Sequence, residues 1–292
     1  MADKRLKLGI PKGSLQESTF RLFAKAGWKI TEHHRNYFPD VNDPELQCSL
    51  CRAQEMSRYV EDGVFDAGLT GKDWILENES DVVVVSDLIY SKVSTRPARW
   101  VLAVKGDAPY KRPEDLAGKK IATELKNYTQ KYFEQAGIPV TVEFSWGATE
   151  AKVVEGLCDA IVEVTETGTT IKAHGLKIIA EVLQTNTQFI ANKKAWEDPW
   201  KREKIQIINT LLQGALRAEK LVGLKMNVPK KQMDEVMEVL PAMTAPTVAP
   251  LYHSDWYSVE IVIEKSKVRD LIPLLLQKGA EAIIEYPLNK VI

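Results

Sequence analysis

Short apolar runs recur along the first two thirds of the chain, and each gives way to a stretch in which apolar positions return at helical spacing. LKLGI (Leu6 to Ile10) precedes a helical pattern from Leu15 to Ala26. DAGLT (66–70) precedes GKDWILEN, KKIAT (119–123) precedes QKYFEQAG, and DAIVEV (159–164) opens onto a run of hydroxyls. Strand-then-helix alternation of this kind predicts an α/β protein with its ligand outside the C-terminal ends of the strands.

Two stretches are extended for longer than a single strand needs, IYSKVSTRPARWVLAVKGD (89–107) and LQTNTQFIANK (183–193). Two crossing segments make a hinge, so the pattern predicts a bilobal, periplasmic-binding-protein-like core with ligand in the cleft. Lobe I takes residues 1–94 plus 190–219 and lobe II residues 95–189; a helix from Pro199 to Lys220, with Ile205, Ile208, Leu212, Ala215 and Leu216 on one face, closes lobe I. The tail, 220–292, reads strand, helix, strand, strand, helix, strand, which is the ferredoxin-like (ACT-like) βαββαβ order of a separate small domain.

The hydroxyl run, EVTETGTT, places Thr165, Glu166, Thr167, Gly168, Thr169 and Thr170 between a strand and a helix. Backbone N–H groups, hydroxyls, a glycine that admits close approach and a helix N-terminus suit a monophosphate. It is neither a Walker loop nor a dinucleotide fingerprint, since it lacks the lysine of one and the three glycines of the other. An ordinary strand-to-helix turn with a threonine N-cap fits the same residues. Glu163 at the strand end tips the balance: a carboxylate there can accept both hydroxyls of a ribose, and a phosphate cradle beside a ribose acceptor describes a phosphoribosyl site.

Composition narrows the partners. With 27% charged residues and a formal net charge of −1, the chain lacks the basic footprint of a nucleic-acid binder. The opening MADKRLKLGIPKGS has no apolar core and no long apolar run follows, so neither secretion nor membrane insertion is expected and a cytoplasmic location is. Cys48 and Cys51 have redox-pair spacing but fall in a strand, LQCSLCRA, and read as buried structural thiols. His33, His34, His174 and His253 fit no metal-ligand spacing.

EGLCDAIVEVTETGTTIKAHGLK resembles the signature segment of the ATP phosphoribosyltransferase family, the first enzymes of histidine biosynthesis. LKLGIPKGSLQE, FDAGLTGKDWILE, ARWVLAV, KKIATE, GATE, PTVAPL and KGAEAIIEYPLNKV match the family in order, over essentially the whole chain. The tail resembles that of the long form, which needs no separate supporting subunit. The resemblance implies transfer of a phosphoribosyl group from phosphoribosyl pyrophosphate to N1 of ATP, with pyrophosphate leaving as its Mg²⁺ complex and no metal held by side chains alone. It implies that Glu163, Val164, Thr165, Glu166, Thr167, Gly168, Thr169 and Thr170 hold the ribose 5-phosphate, with Glu163, Glu150 and Arg99 catalytic. Lys12, Gly13, Arg52, Asp73 and Arg99 would line the cleft for ATP and pyrophosphate.

It further implies feedback inhibition by L-histidine, bound near Thr247, Ala249, Ala280 and Ala282, and a homo-oligomer from dimer to hexamer. Ser14, Glu163 and Leu125 depart from the Arg, Asp and Tyr of many members, and Leu125 takes away an aromatic that would stack on adenine. A solute-binding or ligand-sensing protein of the same fold, and a phosphoribosyltransferase acting on another base, are the competing readings.

Overall fold

The computed structural model describes residues 4–33, 36–90, 97–241 and 245–292. His34, the stretch Ser91 to Arg96 of the first extended crossing, and with it the expected 94/95 lobe boundary, lie outside the described residues.

The first sheet is built from β1 (Leu6–Lys12), followed by helix α1 (Gln16–Ala26) and the small ribbon β2 (Ile30–Thr31) and β3 (Asp40–Val41). It continues through β4 (Leu46–Arg52), α2 (Ala53–Glu61), β5 (Ala67–Gly71), α3 (Lys72–Asn78) and β6 (Val83–Leu88). The strand β1 lies between β4 and β5, parallel to both, and is buried on both faces, as its near-continuous apolar sequence requires. Gly9 and Gly68 stand in register on β1 and β5, and a Cβ on either would meet the Met56 sulfur at 2.3 or 2.7 Å. Two adjacent glycines thus form the groove into which α2 sets Met56, which is fully buried.

The second sheet begins with β7 (Ala98–Lys105) and takes in β8 (Lys120–Thr123), α4 (Lys126–Gln135), β9 (Thr141–Phe144), α5 (Thr149–Val154), β10 (Ala160–Thr165), α6 (Thr169–Ala173) and β11 (Leu176–Thr185). The chain then returns as β12 (Thr187–Ala191), α7 (Lys193–Glu197) and α8 (Pro199–Glu219). Alternation along β7 separates two cores: Trp100, Leu102 and Val104 pack with Leu116, Leu125 and Phe133, while Val101 and Ala103 pack with Val153, Ile161 and Ile171.

The strand orders are β4-β1-β5-β12-β6 and β9-β8-β10-β7-β11. In each sheet the fourth strand runs antiparallel to its neighbours, and in each it is the first strand after the chain arrives from the other sheet. The two lobes therefore share one plan, and the core is the expected bilobal α/β fold.

The tail is β13 (Leu221–Pro229), α9 (Met233–Val239), β14 (Thr247–Pro250), β15 (Trp256–Glu264), α10 (Lys265–Gln277) and β16 (Glu281–Pro287), in strand order β14-β15-β13-β16. This is the ferredoxin-like unit expected, with Leu224, Met226, Val236, Val259, Leu271 and Leu275 in its core. Among the described residues no helix is long and apolar enough to cross a membrane. Cys48, Cys51 and Cys158 are buried, and burial pushes the thiols of Cys48 and Cys51 up to about 12, which leaves them protonated and unreactive.

The two sheets are joined by a buried hydrogen bond: Trp100 Nε1 on β7 donates to Asp73 Oδ2 on α3 at 2.7 Å. Trp100→Phe keeps an aromatic side chain but deletes the donor and some buried volume, leaving the buried Asp73 carboxyl one partner short. The expected loss is about 1.5–3 kcal/mol, read as a lower urea midpoint at unchanged slope; coincident midpoints would show that the bond adds nothing to stability.

Candidate active site

A cavity of about 590 Å³ opens between the two sheets. Its first wall comes from the C-terminal ends of the three parallel strands β1, β4 and β5, which supply Lys12 and Ser14, Arg52, and Asp73 with Trp74. The opposite wall comes from the ends of β8 and β10, which supply Glu124, Glu163, Val164, Thr165, Glu166, Thr167 and Thr170. The crossing residues Thr185, Asn186 and Thr187 also line it. Strand ends gather here because the helices that follow each strand turn back along the sheet and leave the carboxyl edge open.

The two walls differ in charge. On the first, Lys12 Nζ sits 4.1 Å from the Tyr37 ring centroid, so an aromatic face rather than a carboxylate steadies the ammonium. Gly13 has φ 111°, a conformation that favours glycine, and a Cβ there would meet the Arg52 guanidinium at 3.2 Å. On the second wall, burial, then the like charge of Glu150 and more weakly that of Glu124, push Glu163 up to about 7. The Val164 amide, 3.2 Å from Glu163 Oε1, and the Thr149 hydroxyl pull the other way. Thr149 is held in turn by Ser145, oxygen to oxygen at 3.0 Å.

The hydroxyl loop is internally braced. The Gly168 amide donates to Thr165 Oγ1 at 2.8 Å, the Thr169 amide to Thr167 Oγ1 at 3.3 Å, and the Thr167 and Thr169 hydroxyls are 2.8 Å apart. The N-cap of α6 is Gly168 at φ 79° with no side-chain cap bond, so the threonine N-cap of an ordinary turn is not what the loop forms. Its hydroxyls instead hold the loop's own amides, and Thr165, Glu166, Thr167 and Thr170 line the cavity.

Several sequence candidates sit elsewhere than expected. Arg99 does not line the cavity: on β7 it alternates with Trp100, so its side chain lies on the other face, 3.5 Å from Glu181 Oε2. Gly168 and Thr169 also lie off the lining, and a Cβ at Gly168 would stand 3.3 Å from Ile178 and 3.9 Å from the Arg99 guanidinium. Glu150 acts on the site through its charge on Glu163 and does not line it, and neither does Gly13.

Asp73 lines the cavity but is 6% exposed, with one oxygen on Trp100 and the other accepting the Trp74 amide at 3.1 Å; burial pushes its carboxyl up. Leu125 is fully buried in the second lobe's core, so an exchange there alters packing and not a surface for adenine. In the tail, Thr247 and Ala249 are exposed on the edge strand β14, whereas Ala282 is on β16 at the opposite edge. Ala280, expected in the same site, is 1% exposed and packs in the core of the tail. One chain therefore does not bring these four residues together.

Glu124 and Trp74 were not singled out from the sequence. Glu124 carried the same signal as Glu163, an acid just after a strand, in KKIATE; Trp74 read as one more apolar position of a helix.

Comparison with known proteins places this geometry. A profile of the ATP phosphoribosyltransferase family matches residues 52–214, and one described as HisG, C-terminal domain, matches residues 218–290. An ATP phosphoribosyltransferase from Solidesulfovibrio magneticus is 76% identical over 290 residues, 99% of each chain, and one from Nitratidesulfovibrio vulgaris is 71% identical over 287 residues, 98% of each. A solved ATP phosphoribosyl transferase (HisG:HisZ) complex from Thermotoga maritima aligns at TM-score 0.60 and 30% identity, over 71% of this chain and 98% of that one. The fold and its cleft are thus those of a two-lobed α/β transferase. The chain belongs to the ATP phosphoribosyltransferase family.

The raised Glu163 carboxyl has a consequence for stability. Held at about 7 against an ordinary 4.5, it keeps its proton longer in the folded chain than in the unfolded one. Folded protein therefore binds more protons between these values, and the contribution, complete below the lower one, is lost as pH rises through 7. Comparing unfolding midpoints of the parent and Glu163→Gln from about pH 5 to about pH 8 should show the parent falling by up to about 3 kcal/mol relative to the variant. Parallel profiles would show that Glu163 ionises in its usual range.

Proposed function

We propose that the cleft transfers the 5-phosphoribosyl group of phosphoribosyl pyrophosphate to N1 of ATP, releasing pyrophosphate, as the first step of histidine biosynthesis. The observation that carries this reading is the second wall, where a partly buried carboxylate at a strand end adjoins a hydroxyl-braced loop and faces the basic wall of Lys12 and Arg52. In this reading residues 1–94 with 190–219 and residues 95–189 are the two catalytic lobes, and residues 220–292 regulate them.

Substitution at the anomeric carbon passes through an oxocarbenium-like state, so the site must place a neutral ring nitrogen in line and accommodate a charged leaving group. No side-chain nucleophile is required. The loop from Thr165 to Thr170 would hold the 5-phosphate, and Glu163 would accept the ribose hydroxyls, with bonds that strengthen as positive charge develops on the sugar. Lys12 and Arg52 would offset charge on the pyrophosphate. Trp74, partly buried beside Asp73, offers a ring to the adenine.

Magnesium would enter as part of the substrate, since Mg²⁺ prefers phosphate oxygens and water with one or two carboxylates. Glu124 and Glu163, which line the second wall, would hold the ion through its water, and on the pyrophosphate it would supply charge neutralisation of the leaving group.

The test is pyrophosphate release on mixing the protein with ATP, phosphoribosyl pyrophosphate and magnesium. A solute-binding role predicts none, and a transferase for another base predicts release only when the acceptor is changed. Given activity, Glu163→Gln should lower turnover at least tenfold, about 1.4 kcal/mol of transition-state stabilisation. Unchanged turnover would remove Glu163 from the sugar.

Regulation by L-histidine follows from the tail in the same reading. Thr247 and Ala282 lie on opposite edge strands with two strands between, about 14 Å apart at ordinary strand spacing. A pocket that uses both therefore needs two copies set edge to edge, in keeping with a homo-oligomer of two to six chains. Thr247→Trp and Ala282→Trp should each abolish inhibition by histidine while leaving uninhibited turnover near the parent's. Inhibition at the parent's histidine concentration in either variant would show that the pocket lies elsewhere.

A further inference from the structure

The helix α4 begins without a cap of its own. Its N-cap residue is Leu125, which is apolar, fully buried and offers no side-chain acceptor, although the first amides of any α-helix lack partners within the helix. The acceptor comes from the other lobe. Glu77 of α3 takes the Asn127 amide on Oε1 and the Tyr128 amide on Oε2, each at 2.9 Å, and the Asn127 side chain returns a bond to the Glu77 carbonyl at 3.2 Å. Glu77 is only 8% exposed, so water does not readily replace it.

Other contacts of α3 point the same way. Asp73, one turn earlier, accepts the Trp100 indole, and the Trp74 and Trp100 rings meet edge to face at 6.1 Å. The anchored amides lie just beyond Glu124, and the Leu125 amide donates to Thr123 Oγ1 at 3.0 Å, so the turn carrying Glu124 is pinned at both ends. Glu79 and Lys131 also bridge α3 and α4 at 2.7 Å, but both side chains are at least half exposed, and such a pair adds little.

We propose that Glu77 is a positioning residue for the transfer reaction: reaching across from the first lobe, it fixes the start of α4 and so sets where the acidic wall of Glu124 and Glu163 stands against Lys12 and Arg52. It touches no substrate. The kinetic half of this proposal rests on the reaction proposed above, whereas its structural half does not.

The experiment uses the full-length chain labelled at Asp62→Cys in the first lobe and Lys111→Cys in the second, both exposed positions; the native cysteines are buried. Energy transfer between the labels reads the lobe separation without reference to activity. Glu77→Ala should broaden and lengthen that distance, and in the unlabelled enzyme should raise the Michaelis constant for phosphoribosyl pyrophosphate about tenfold with a smaller change in turnover. That split reflects a substrate that needs both walls in register. Lys131→Ala, at the same interface, should change neither. If Glu77→Ala does not fold, Glu77→Gln, which keeps the shape and one acceptor, should show the same effects at smaller size. An unchanged distance in a folded Glu77 variant, or an equal change in Lys131→Ala, overturns the proposal. A parent that is inactive with ATP refutes the reaction instead, and the distance measurement still decides the role of Glu77.

Discussion

The buried hydrogen bond from Trp100 to Asp73, with the Glu77 bonds to the start of α4 beside it, holds the two sheets of the cleft together. Each sheet has its own core, although Trp74 of the first lobe also packs against that of the second. What neither can do alone is face a basic strand end towards an acidic one. A carboxyl enters an interface this dry only with partners for its oxygens, and Asp73 finds them in the Trp100 indole and the Trp74 amide. The arrangement costs solvation, and what it secures is orientation: separating the lobes leaves the carboxylate without the indole.

The same balance runs along the opposite wall with a different outcome. Glu163 sits near Glu150 and Glu124, and among the described residues desolvation and like charge outweigh the Val164 amide and Thr149 hydroxyl, so the proton is retained towards neutrality. A carboxyl in this state is poised for a ligand that brings positive charge or donor hydroxyls, either of which favours the ion. In the reading proposed above, the asymmetry between the walls suits a ligand with anionic groups at one end and hydroxyls at the other.

How far the sequence disclosed this depended on the range of each signal. Strand ends followed by helical spacing are local, and βα alternation, the returning crossing near Asn186 and the βαββαβ tail all follow from them. Glu163 and the hydroxyl loop were visible because an acid and a cluster of threonines interrupt an apolar strand. Where the structure sets a candidate apart from the cavity lining, the reason is the direction a side chain takes. Arg99 belongs to the face of β7 opposite Trp100, a matter of strand parity that a chain-long match does not register. Ala280 looked like a small residue at an open strand end and is instead the point where the last strand leaves the core. Leu125 looked like the loss of an aromatic at a surface and is a core residue. Glu77 was invisible for a different reason, since its partners lie some fifty residues ahead in another lobe and nothing in DWILEN distinguishes a cap for a distant helix from a solvated acid.

The shared plan of the lobes constrains how the cleft can work. In each sheet the reversed strand is the one just arrived from the other lobe, so β7 and β12 lie next to the strands that supply the walls, β10 and β5. Any rotation of one lobe against the other is carried directly into those wall strands through a full ladder of backbone bonds. Thr185, Asn186 and Thr187, where β11 passes into β12, line the same cavity, and the Asn186 carbonyl accepts the Lys72 amide at the start of α3. The helix that holds the lobes together thus begins on the crossing about which they would turn. Among the described residues, the crossing from Thr185 to Thr187 both lines the cleft and anchors that helix, so a ligand that bridges the walls meets the returning hinge strand directly.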